Sequence, residues 1–203
     1  MGLEYHMKTP LSEGDVRKLK VGDIVYLSGI VVTARDAAHS RALYILKSGG
    51  SLPIDLKGLA IYHCGPVVDK KDDKWVVVVA GPTTSTRMDP LEYEFIEKTG
   101  VRMIIGKGGM GAKTVEACKK FGAVYTIFTG GAAVLAVKGM KRVLDVHWLD
   151  LGIPEALWVI EVENFGPLMV TIDSHGNNFY DSINREVYRR LREEIYPKIG
   201  VQG

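Results

Sequence analysis

From Ile24 to Val137 the chain switches repeatedly between short runs of β-branched and apolar residues and stretches of helical periodicity, most switches falling at glycine. Short strands alternating with helices of ten to fifteen residues specify βα units and a sheet with a parallel part. Ile24–Thr33 reads as a strand, interrupted at Ser28-Gly29 by a bulge or corner. A helix opens at Arg35 and runs to Ser48, where Gly49-Gly50 stops it. Leu59–Tyr62 is a strand, residues 67–74 a charged surface loop, and Trp75–Ala80 a buried strand followed by a helix over Pro90–Lys98. Val101–Ile105 and Val124–Phe128 are strands, Ala112–Phe121 and Ala132–Val137 helices. Before this block, Ser12–Leu19 is a short helix with Ser12 as N-cap and Asp15 at the third helical position.

The last third changes character. Val143–His147, Leu157–Val162 and Leu168–Asp173 read as strands, and Ser174-His175-Gly176-Asn177 is a turn. Asn184–Tyr196 is a charged amphipathic helix carrying Val187, Leu191 and Ile195 at i, i+4 spacing. No repeat or linker divides the chain. The expectation is one α/β domain over residues 1–203, layered on a mixed sheet, with a helical C-terminal extension from about residue 181.

Three strands run into loops that pair a cation with a helix start: Thr33-Ala34-Arg35-Asp36, Thr83-Thr84-Ser85-Thr86-Arg87, and Gly106-Lys107-Gly108. Ligands of α/β sheets bind at the carboxyl ends of strands, where helix N-termini and free backbone N–H groups favour anions. If the three loops share an edge, Arg35, Arg87 and Lys107 form a site for a dicarboxylate or a phosphate. The stretch Gly106-Lys107-Gly108-Gly109-Met110-Gly111-Ala112-Lys113-Thr114 approaches a P-loop. Ala112 displaces Lys113 by one residue, about 100° around a helix, so nucleotide hydrolysis is the weaker reading. Gly130-Gly131-Ala132 reads as tight packing before a second anion cradle.

Net charge is +2 with no long like-charge block, which argues against a nucleic-acid or membrane-surface partner. No apolar run spans a bilayer and no signal-peptide pattern opens the chain, so a cytoplasmic location is expected. His39, His63, His147 and His175 are scattered without ligand spacing. Cys64 and Cys118 form neither a disulfide framework nor a metal motif; both read as buried thiols. Two thiols cannot hold an iron–sulfur cluster unaided.

In this context the sequence resembles the β subunit, or C-terminal domain, of class I iron–sulfur fumarate hydratases and L-tartrate dehydratases. The likeness lies in Gly29-Ile30-Val31-Val32-Thr33-Ala34-Arg35-Asp36-Ala37-Ala38-His39, Leu52-Pro53-Ile54-Asp55, Gly65-Pro66, Gly81 to Asp89, Ile105-Gly106-Lys107, Gly130-Gly131-Ala132-Ala133 and Asp150-Leu151-Gly152. It implies a swivelling β/β/α domain and a hydro-lyase active only with a partner α subunit in an α2β2 assembly. The partner would hold a [4Fe–4S] cluster; this chain would supply no metal ligand. Arg35, Arg87 and Lys107 would bind substrate carboxylates and Thr83 would be the catalytic base, helped by a partner carboxylate. The residues alone do not single out Thr83 among Thr83, Thr84, Ser85 and Thr86. The reaction expected first is fumarate to (S)-malate. Tartrate to oxaloacetate is the alternative, and a stand-alone anion- or nucleotide-binding module is the rival of another class.

Overall fold

The computed structural model describes residues 2–200, and it closes the expected mixed sheet into a barrel. Strand β1 (Glu4–Lys8) precedes a single helical turn α1 (Glu13–Val16), whose Ser12 and Asp15 form a reciprocal capping box. Strand β2 (Ile24–Thr33) leads into helix α2 (Asp36–Lys47), and β3 (Ala60–Tyr62) into the hairpin β4 (Val67–Lys71) and β5 (Lys74–Val79). Helix α3 (Asp89–Thr99), strand β6 (Met103–Gly106), helix α4 (Ala112–Phe121), strand β7 (Val124–Ile127) and helix α5 (Ala133–Lys138) complete the βα block. Strands β8 (Met140–His147) and β9 (Leu157–Ile172) follow, then helix α6 (Phe179–Arg190) and a last turn α7 (Tyr196–Ile199).

Strands β2, β3, β6 and β7 are parallel neighbours, and the antiparallel β9 joins β7 back to β2. Closure comes from two long strands sharing one edge. Met169 of β9 is opposite both Ile24 and Ile127, while Val162 is opposite both Gly29 and Met140. The other edge of β9 is therefore divided between β8 and β7, as that of β2 is divided between β1 and β3. On β2 the handover falls at Gly29, where φ is +102° and Thr9 packs against the backbone.

Alternate residues on the barrel strands face two cores. Ala60, Tyr62, Met103, Ile105, Trp158, Ile160 and Val170 pack inside the barrel. Ile61, Ile104, Tyr125, Val159 and Ile172 face outward against Ala38, Leu43, Phe95, Ile96 and Ala117 of α2, α3 and α4. All of these are less than 5% exposed, so each large side chain contributes on the order of 1.5–3 kcal/mol by leaving water.

Two expectations are corrected. Residues 67–74 are not a loop: Asp72 and Asp73, at φ +50° and +60°, turn a two-stranded ribbon that pairs only with itself. Its second strand, expected to be buried, leaves Val76 and Val78 at the surface and buries Val77 alone. The ribbon is pinned to the barrel by an edge-on Trp75–Trp158 contact and by the Tyr62 hydroxyl, which donates to the Ala80 carbonyl at 2.8 Å. Second, Leu157–Val162 and Leu168–Asp173 belong to one strand. Gly166 and Pro167 of β9 stand two against one opposite Tyr26, a bulge where a residue without N–H costs no ladder bond. No helix among the described residues is long and apolar enough to cross a membrane.

Candidate active site

Because β2, β3, β6 and β7 run parallel, their carboxyl ends open on one rim of the barrel. The loops carrying Arg35 and Lys107 leave β2 and β6 there. The third cationic loop arrives from the ribbon, not from a barrel strand, and is bonded onto the same rim. Thr83 N–H donates to the His63 carbonyl at 2.6 Å and Ser85 N–H to the Lys107 carbonyl at 3.0 Å. Isolated bridges Cys64–Pro82 and Thr84–Lys107 extend this stitching. Ser85–Arg87 then form a 3₁₀ turn that leads into α3.

The two arginines meet at Asp36. Arg87 grips it with two contacts, Nε at 3.1 Å and Nη2 at 2.8 Å. Arg35, the N-cap residue of α2, lies 4.0 Å from Asp36 and 3.2 Å from Glu155. Glu155 also accepts the Ala37 N–H at 2.9 Å, so one carboxylate both caps α2 and orients Arg35. The guanidinium lies against Gly65, where a Cβ would come within 2.7 Å of Nη1; only glycine admits this approach. Lys107 makes no ion pair among the described residues, and its stem runs beside Gly130.

The three sequence-predicted cations are thus on one rim, with two of the three charges compensated. Asp36 and Glu155 reduce the local formal charge from +3 to +1 and hold both guanidinium groups in place. Any carboxylate bound by these fork-shaped donors would have to compete with Asp36 and Glu155. Thr83 lies half-buried beside them. A cleft of about 720 Å³ lies elsewhere, between β5 and β8, lined by Trp75, Val77, Arg142 and Val143; none of the rim cations borders it.

Beneath the rim is a constellation that sequence spacing concealed. His39, His63 and Glu92 are fully buried, with Glu92 Oε2 3.2 Å from His63 Nε2 and 3.7 Å from His39 Nε2. They come from α2, the end of β3 and α3, so no local pattern joins them. Desolvation holds the His39 imidazole below its ordinary 6.5, outweighing the attraction of Glu92. Desolvation works to raise the Glu92 carboxyl, but His63, by charge and hydrogen bond, and then His39 hold it below 4.5.

Both depressed values make acid destabilising. The unfolded chain takes up a proton on its histidine near pH 6.5 while folded His39 stays neutral, so stability present above that pH is lost below it. Glu92 adds a second loss below about pH 4.5, where its unfolded carboxyl protonates first. Urea midpoints should be level above neutrality and fall from pH 6.5 downward. In His39→Asn the fall between pH 6.5 and 5 should be shallower; an unchanged slope would remove His39 from the account.

Neither thiol is in its reactive form. Cys64 and Cys118 are both buried, and burial pushes Cys64 up to about 12 and Cys118 further still.

Residues 3–183 match the family described as fumarase C-terminus. The chain is 47% identical over 193 residues to the Escherichia coli K12 protein named L(+)-tartrate dehydratase subunit beta, covering 95% of this chain and 94% of that one. It is 50% identical over 186 residues to a Methanocaldococcus jannaschii protein provisionally given the same name, covering 91% and 95%. A Geobacillus stearothermophilus protein provisionally named class I fumarate hydratase is 42% identical over 188 residues, which are 92% of this chain and 35% of that longer one.

Proposed function

The chain belongs to the fumarase C-terminus family, and from that premise we propose that it is the β subunit of a class I iron–sulfur hydro-lyase that dehydrates L(+)-tartrate to oxaloacetate. The observation that carries this reading is the near-full-length identity to tartrate dehydratase β subunits, joined to a rim where Arg35, Arg87 and Lys107 converge. Fumarate, the first expectation from sequence, becomes the second reading, favoured by the Geobacillus relative.

In this reading Arg35 and Arg87 receive the two carboxylates of the dianion, and Lys107 adds a point charge beside them. Thr83 takes the proton from the carbon that keeps its hydroxyl, next to one carboxylate. The hydroxyl on the neighbouring carbon departs as water, and the resulting enol rearranges to oxaloacetate. Negative charge builds on one carboxylate as the C–H bond breaks, and the cations stabilise it there. Thr83 serves as a base only where cations and backbone N–H groups depress its hydroxyl; in support of the reading, its backbone N–H is bonded to the His63 carbonyl on the rim that carries the cations. Both thiols are buried, and burial favours their protonated form, which supports leaving the [4Fe–4S] cluster to the α subunit in this reading.

Two experiments test it. Chain and α subunit purified together should turn L(+)-tartrate into oxaloacetate with a higher kcat/KM than for fumarate hydration. Each alone should be inactive, and turnover by the lone chain would defeat the proposal. The Cys64→Ala, Cys118→Ala double variant should leave the iron content of the complex unchanged; iron lost in step with the thiols would refute the assignment of the cluster.

A further inference from the structure

The three rim loops converge, through two imidazoles, on a common carboxylate below them that both rings approach as ion-pair partners. His39 Nδ1 lies 2.8 Å from the Arg35 carbonyl, on the loop that ends β2. His63 Nδ1 lies 2.9 Å from Ser85 Oγ, in the loop from the ribbon. That same Oγ accepts the Lys107 N–H at 3.2 Å, from the loop that ends β6. Both imidazoles then point their Nε2 atoms at one oxygen of Glu92. Each loop carrying a candidate substrate cation is therefore tied, through one histidine, to a single buried carboxylate on α3.

We infer that Glu92 is a positioning residue: acting through His63 and Ser85, and through His39, it holds the Arg35, Thr83–Arg87 and Lys107 loops in register with one another. The inference rests on the proposed function for its catalytic consequence, and on geometry alone for the coupling. A buried anion is costly unless paired, so the arrangement penalises any displacement of His63 or His39 from Glu92. His63 matters doubly, because its carbonyl holds Thr83 while its ring holds Ser85. Gly106 leaves room for Ser85: a Cβ there would fall on Ser85 Oγ.

Glu92→Gln keeps the shape and removes the charge, and Ser85→Ala cuts the link to Lys107 without touching Glu92. Amide hydrogen exchange on the full-length chain reads the coupling directly. In both variants the Lys107 amide should exchange at least about tenfold faster, while the ladder amides of Ile104 and Tyr125 keep their wild-type rates. A merely structural loss would speed all amides together, and that result, or an unchanged Lys107 rate, would overturn the inference. The same holds if metal analysis of the purified chain finds one bound ion per chain that Glu92→Gln releases, since the three groups are close enough to chelate one. In the assembled enzyme both variants should lower kcat/KM at least about tenfold. If wild type turns over neither tartrate nor fumarate while the exchange pattern holds, the functional reading fails and the coupling stands.

Discussion

Replacing Arg87 with alanine in the assembled enzyme is expected to lower kcat/KM for tartrate at least about a hundredfold, equivalent to about 2.7 kcal/mol of transition-state stabilisation. Two effects add. The substrate loses a fork-shaped donor suited to a carboxylate, and Asp36 loses the partner that now neutralises it. An uncompensated Asp36 beside Arg35 would repel a dianion. Arg87→Lys should recover only part of the loss, because a point charge replaces a bidentate fork. The fold should be indifferent: the Arg87 side chain is 51% exposed, and exposed pairs contribute little to stability. Melting temperature and kinetics measured on the same preparation separate the two outcomes, and wild-type kinetics would take Arg87 out of the site.

A second large effect is expected where no charge is involved. Gly106→Ala places a methyl group on Ser85 Oγ and within 3.2 Å of His63 Nδ1. Ser85 and His63 are fully buried and bonded to one another, so neither has solvent to swing into. The variant should lose roughly 2–3 kcal/mol of stability, as overpacked interiors do. Activity should be lost beyond what the unfolded fraction explains, because the displaced groups hold Thr83 and Lys107. Urea denaturation together with activity corrected for folded protein provides the check; a wild-type midpoint would mean the loops repack freely.

What the sequence disclosed and what it hid follow from range. Arg35 and Lys107 were legible because each follows its own strand, and Arg87 because hydroxyl residues and a helix start surround it. Thr83 was distinguishable from its neighbours only through family resemblance. The ribbon escaped notice because Asp69, Lys70, Lys71, Asp72 and Asp73 look like a solvated loop, and a ribbon with one wet face has no apolar alternation strong enough to contradict that. Gly166-Pro167 split β9 on paper, since only the bulge they form opposite Tyr26 shows why a proline is tolerated there. Pairing of β2 with β9 links residues more than a hundred positions apart, as does the Arg35–Glu155 contact. His39 and His63 were read as scattered, and Glu92 was not singled out, because no local period connects three separate elements.

The strand that completes the barrel is also the last long one to be made. Until residues near 157–172 leave the ribosome, β2 has one whole flank of N–H and C=O groups with no partner, and the inner face of β3 and β6 lacks its far wall. Such an open edge is a template for pairing with other chains, and distant pairings form slowly. During synthesis about three quarters of the chain is therefore made before the strand that seals the barrel, and the parallel strands must wait for it to cover their open edge.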